Sequence, residues 1–129
     1  MYNKDGWTFK SQEVADNFDN HVVQSVPLYQ SFHEMITTFS KYYVQSNSTV
    51  VDLGTSTGHL LRKMANTNKN KNNVTYCGFD NSVQMINKAR ENHKDSVYNL
   101  NFFCDDVEYF NTYPSTGRSS FITSMLCLQ

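Results

Sequence analysis

The chain has 129 residues, 39% of them hydrophobic, with 11 basic and 12 acidic side chains and a formal net charge of -1. That length supports one domain with a core of its own, and the balanced charge lacks the basic surplus by which proteins hold nucleic acid through its phosphates, so direct nucleic-acid binding is not expected. No run approaches the roughly 20 apolar residues of a membrane span and no basic-then-apolar leader opens the chain, which makes the cytoplasm the expected compartment and a membrane role unexpected.

In chain order, residues 1–10 read as a loosely held tail carrying Trp7 and Phe9, and residues 11–129 as the domain. Val14, Phe18, Val22 and Val26 share one helical face up to Pro27. Leu28, Phe32, Met35, Ile36, Phe39 and Tyr43 form the apolar face of a second helix, expected to pack on a sheet. Ordinary core packing is the expectation for most of these aromatics; the alternative is a two-helix lid that brings Tyr29 over a ligand.

The stretch Val50 to Leu61, VVDLGTSTGHLL, follows. Thr49, Val50, Val51 and Leu53 are a β-rich run of the kind buried on both faces of a parallel sheet. Gly54 and Gly58 permit a sharp turn and a close ligand approach, and Ser56 keeps the loop small. Leu60, Leu61 and Met64 then share a helical face, so a helix amino terminus is delivered beside the turn. A dinucleotide site wants G-x-G-x-x-G. Here the pattern is D-x-G-x-S-x-G: Ser56 crowds a pyrophosphate and Asp52 repels one, whereas Asp52 suits a ligand carrying an ammonium group, such as S-adenosylmethionine. A plain strand-to-helix turn is the competing reading of the motif alone.

Residues 66–73 read as a solvated, mobile polar loop. Val74 to Phe79 read as a second strand ending at Asp80, 22 positions after Gly58. An acidic residue about 20 positions past such a turn is placed to accept hydrogen bonds from both ribose hydroxyls. Asn81 follows toward the adenine edge, and Ser82 is suited to cap a helix carrying Val83, Ile86, Ala89 and Arg90. Leu100 to Cys104 read as a third strand ending in Asp105 and Asp106, one of which can take an adenine amine; a solvated turn or cap is the simpler reading of that pair. Ser119 to Leu128 read as an uncharged fourth strand.

Cys77, Cys104 and Cys127 are odd in number and lack C-x-x-C spacing, so they are expected to be buried hydrophobes rather than disulfides or zinc ligands. Among the histidines, His59 begins a helix beside the turn, where a solvent-facing role is favoured over a cofactor contact. His21, His33 and His93 are expected on helix surfaces, and no metal site is expected.

These residues carry a resemblance. DLGTSTG, GFDNS and CDDV resemble the first three motifs of class I S-adenosylmethionine-dependent methyltransferases, and VADNFDNHVVQSVPLYQSFHEMI is similar to the amino-terminal region of the carboxy-S-adenosylmethionine synthase (CmoA) family, which acts in tRNA wobble-uridine modification. The resemblance spans Val14 to Gln129. It implies an α/β, Rossmann-like class I methyltransferase fold, a mostly parallel sheet preceded by two helices and truncated after its fourth strand. It implies S-adenosyl-L-methionine or carboxy-S-adenosyl-L-methionine as cofactor, with Tyr29, Gly54, Ser56, Asp80, Asn81, Asp106 and Val107 as contacts, beside the Asp52 and Gly58 read from the turn itself.

Met125 stands in MLCLQ where that family has an asparagine, and the family's carboxylate-binding arginine lies later than Gln129. The catalytic group is therefore unassigned. The chain reads as the amino-terminal part of a methyltransferase domain: a fragment, a truncated product, or a half completed by a second polypeptide or a dimer partner over the fourth-strand edge. Two further readings stand beside it, a non-catalytic cofactor-binding module and an NAD-dependent oxidoreductase, the latter disfavoured by Asp52 and Ser56.

Overall fold

A computed structural model describes residues 12–113 and 118–125. Helices α1 (Gln12–Ser25) and α2 (Tyr29–Tyr43) precede an alternation of strand and helix: β1 (Thr49–Leu53), α3 (His59–Thr67), β2 (Thr75–Asp80), α4 (Val83–Asn92), β3 (Leu100–Cys104), a 3-10 turn (Val107–Thr112) and β4 (Ser119–Ser124). The four strands form one parallel sheet in the order β3-β2-β1-β4. All strands therefore end at the same edge, where open α/β sheets bind their ligands.

Strand periodicity divides the core. Val50 and Tyr76 lie in register and point, with Phe102, into a cluster with Leu60, Leu61 and Met64 of α3 and Ile86 and Ala89 of α4. Val51, Cys77 and Phe79 point the other way and meet Phe103, Phe110 and Tyr113. Both faces of β1 and β2 are thus buried, which explains their near-continuous apolar runs. Ser82 caps α4 as expected, its hydroxyl accepting from the Met85 amide at 3.3 Å.

Several expectations are corrected. Most of the apolar face predicted for α2 is exposed: Leu28, Phe32, Met35, Phe39 and Tyr43 are 42–68% accessible, while Ile36 packs half-buried on the core as expected and the Tyr43 ring stacks on Phe121 of β4 at 6.0 Å. The helix instead buries His33 and Ser40, and the fully buried Ser40 hydroxyl accepts from Asn68 Nδ2 at 2.9 Å. Ser40 thus lies at the contact between α2 and the end of α3. The polar loop after α3 is anchored by the same contact: Asn68 is buried, also donates to Met64 O at 2.8 Å, and accepts from Lys71 Nζ at 2.9 Å.

In α4 Val83 is half-exposed and Met85 takes the buried position. Cys104 is exposed at the end of an edge strand, unlike buried Cys77. His33 and His93 are buried rather than on the surface. β4 stops at Ser124, and Met125 lies in a bend beyond it. The predicted tail, the side chain of His21, Cys127 and the last residues of the predicted fourth strand lie outside the described residues.

Candidate functional site

At the carboxyl edge the chain leaves β1 through a turn in which Gly54, Ser56 and Gly58 all adopt positive φ, at 74°, 52° and 83°. The glycines suit that conformation, and Ser56 tolerates it at an energetic cost. The amides of Gly54 and Thr55 both donate to Phe79 O, at 2.8 and 2.9 Å, and the Ser56 amide donates to Asp80 Oδ2 at 3.0 Å. Asp80 Oδ1 accepts from the Ser82 amide at 2.9 Å. The carboxylate of Asp80 thus closes the turn and starts α4, with lone pairs left on both oxygens. Burial raises its pKa above the usual value, against the pull of the Ser82 and Ser56 amides.

Three turn amides are committed to the end of β2, so the backbone offers little to a pyrophosphate. The second glycine has a packing role: a Cβ on Gly58 would stand 2.7 Å from the Phe102 ring and 3.0 Å from His93 Cδ2. Gly78, in register with Asp52, does the same for Thr55, whose side chain would lie 2.7–2.9 Å from an added Cβ. A glycine inside a strand is the signal for such close approach, and sequence reasoning passed over it.

Asp52 is buried in the sheet, 3% exposed, and its Oδ1 accepts from Thr123 Oγ1 at 2.7 Å. Desolvation pushes its pKa up to about 6, with Asp80 adding repulsion and the Thr123 and Thr55 hydroxyls opposing the rise. Between pH 4 and 6 the folded chain therefore holds a proton on Asp52 that the unfolded chain has lost, and the stability supplied by neutral Asp52 is complete below pH 4 and lost as pH rises through 6. The expected drop is about 3 kcal/mol from this group alone. Chemical denaturation of wild type and Asp52→Asn across that window checks it: the variant should lose most of the pH slope.

Asp105 and Asp106 have different roles. Asp105 Oδ2 accepts from Tyr113 Oη at 2.8 Å and its Oδ1 from the Asp106 amide at 2.8 Å, while the Asp105 amide donates to Asp80 O at 3.0 Å. Asp106 is exposed and precedes half-buried Val107 at the start of the 3-10 turn. The structure therefore joins the turn, Asp80 and the Asp105–Val107 segment along one edge. Asn81 is exposed next to Asp80.

Tyr29 opens α2 with its ring 4.2 Å from that of His33. Burial, then the charges of Asp19 and Asp52, pushes its phenol up to about 12. His33 is pushed down to about 4 by burial, with the Lys63 and His59 charges adding to that and Asp19 opposing it. His59 is exposed, as expected, and its Nε2 lies 2.8 Å from Asp19 Oδ2. Asp19, which sequence reasoning did not single out, also accepts from Thr57 Oγ1 at 2.6 Å. Among the described residues no group of three metal-ligating side chains is found, and no helix is long and apolar enough to cross a membrane.

Comparison with known proteins shows what the chain is similar to. The chain is 40% identical over 128 residues to a carboxy-S-adenosyl-L-methionine synthase of Staphylococcus epidermidis, covering 99% of this chain and 53% of the relative. It is 39% identical over 101 residues to one of Ruthia magnifica, covering 78% and 42%. The chain spans about half the length of the curated relatives it matches. Among solved structures, the plantazolicin methyltransferase in complex with SAH aligns at TM-score 0.63 and 20% identity over 92% of this chain and 44% of that one. A methyltransferase structure from Methanococcus maripaludis aligns at 0.61 and 16% over 96% and 53%. Both share the Rossmann-like class I fold. The model of a family described as a methyltransferase domain matches residues 44–120, from just before β1 to the start of β4 and so across the whole glycine-turn edge, and the chain belongs to that methyltransferase family.

Proposed function

We propose that this edge binds S-adenosylmethionine and that the chain is part of an S-adenosylmethionine-dependent transferase of the carboxy-S-adenosyl-L-methionine synthase type. The observation that carries the reading is the Asp80 carboxylate, tied to the turn through Ser56 and still able to accept from two ribose hydroxyls. Asp106 and Asn81 would meet the adenine side with Val107 against the ring. Tyr29 and Asp52 would face the amino-acid end, where a ligand ammonium would offset the cost of keeping Asp52 charged in the sheet. Gly54, Ser56 and Gly58 would shape the floor between.

The sulfonium supplies its own leaving group when bound, so the chain's residues have mainly to bind, orient and exclude water. That suits a site built of binding groups. The resemblance to the synthase family supports a role in tRNA wobble-uridine modification, which we place in the cytoplasm. The outer edge of β4, where Ile122 is 46% exposed, would be covered by polypeptide equivalent to the rest of the longer relatives, whether continuous with this chain, a second polypeptide or a dimer partner. Calorimetry of the 129-residue chain against S-adenosylmethionine and NAD tests the cofactor: heat with the first and none with the second is expected, and the reverse would assign the edge to a dinucleotide.

A further inference from the structure

Helix α1 lies apart from the sheet. Its apolar face, Ala15, Phe18 and Val22, forms a separate small cluster with Met85 of α4, joined by Val26 and Tyr29. It is joined to α2 through Pro27 and Leu28, and Leu28 holds a left-handed backbone at φ 62°, which costs a side chain that glycine would not have. Among the described residues, two side-chain polar ties return α1 to the rest of the fold. One is a 3.7 Å Lys88–Asp16 pair with half of the Asp16 side chain in solvent, worth little. The other is the Asp19 carboxylate, half-buried, holding Thr57 Oγ1 at 2.6 Å and His59 Nε2 at 2.8 Å.

Those two partners flank Gly58, the last residue of the turn. The tie continues inward: His93 Nε2 lies 3.0 Å from Thr57 O, and the His93 ring meets His59 edge-on at 5.7 Å and stacks on Phe102. One side chain on α1 therefore holds the turn and the start of α3, and these in turn meet the end of α4 at His93. We infer that Asp19 is a positioning residue that clasps α1 across the Gly54–Gly58 turn, making α1 and the adjoining Tyr29 a strap over the bound ligand. Its ligand arm rests on the cofactor reading above; the clasp itself does not.

Amide hydrogen exchange on the 129-residue chain, with S-adenosylmethionine titrations alongside, tests both arms. Asp19→Ala should speed exchange in α1 at least about tenfold while β1 and β2 keep wild-type protection. Adding His59→Gln to Asp19→Ala should change α1 no further, since the partner is already lost. Asp19→Asn, which keeps an oxygen for Thr57 and the shape of the side chain, should fall between and serves in place of the alanine variant should that fail to fold. Affinity for S-adenosylmethionine should drop about tenfold in Asp19→Ala, the scale of a lost charge-assisted contact. Unchanged α1 exchange, or equal acceleration in α1 and the sheet, would overturn the clasp; equal affinity of variant and wild type would overturn the positioning role. Absence of binding to wild type would instead overturn the cofactor reading, with exchange still deciding the clasp.

Discussion

Gly58→Ala is expected to cost about 3 kcal/mol of stability, from a left-handed backbone that penalises any side chain and from overpacking against a buried ring. The added methyl would stand 2.7 Å from Phe102 Cε1 and Cζ, and Phe102 is itself stacked on buried His93, so the methyl displaces a packed pair of rings. Thermal unfolding followed by circular dichroism should show a fall of roughly 10 °C. A fall under about 2 °C would mean that the α3–α4–β3 contact at this point is looser than the geometry describes. The position joins two functions: it ends the turn, and it lets β3 and α4 close against it.

Asp80→Ala is expected to weaken S-adenosylmethionine binding by about a hundredfold or more, the size of two hydrogen bonds to a charged acceptor. The same substitution frees the Ser56 and Ser82 amides, so part of the loss arises from a turn no longer held to β2. Asp80→Asn removes less: its one oxygen can still accept from one of the Ser56 and Ser82 amides while its NH2 faces the other, and an intermediate loss of about tenfold is expected by calorimetry. Wild-type affinity in Asp80→Ala would remove the carboxylate from the binding site.

How far the sequence foretold this arrangement depends on the range of the interaction concerned. β1, β2 and β3 were legible because strands buried on both faces leave long apolar runs, and the turn because Gly54, Ser56 and Gly58 mark it locally. Asp80 was legible through its fixed distance from that turn. The rotation of α2 was not, since Phe32, Met35 and Phe39 make the more apolar face and yet are exposed, while Ser40 is buried against Asn68, 28 positions away. Nor was the environment of Asp52, which depends on a register that brings Thr123 beside it across 71 positions. Asp19 meets its partners across 38 and 40 positions, and no periodicity in α1 distinguishes it from its exposed neighbour Asp16. Local chemistry named the edge; long-range pairing determined how charge and packing are disposed around it.

The most direct test of the binding edge is amide chemical-shift mapping of the 15N-labelled chain titrated with S-adenosylmethionine. The largest shifts should fall on Gly54 to Gly58, Asp80 to Ser82 and Asp106 to Val107. Shifts confined to the groove beside β3, lined by Arg90, Lys94 and Tyr98, or no shifts at all, would contradict a cofactor site at the carboxyl ends of the strands.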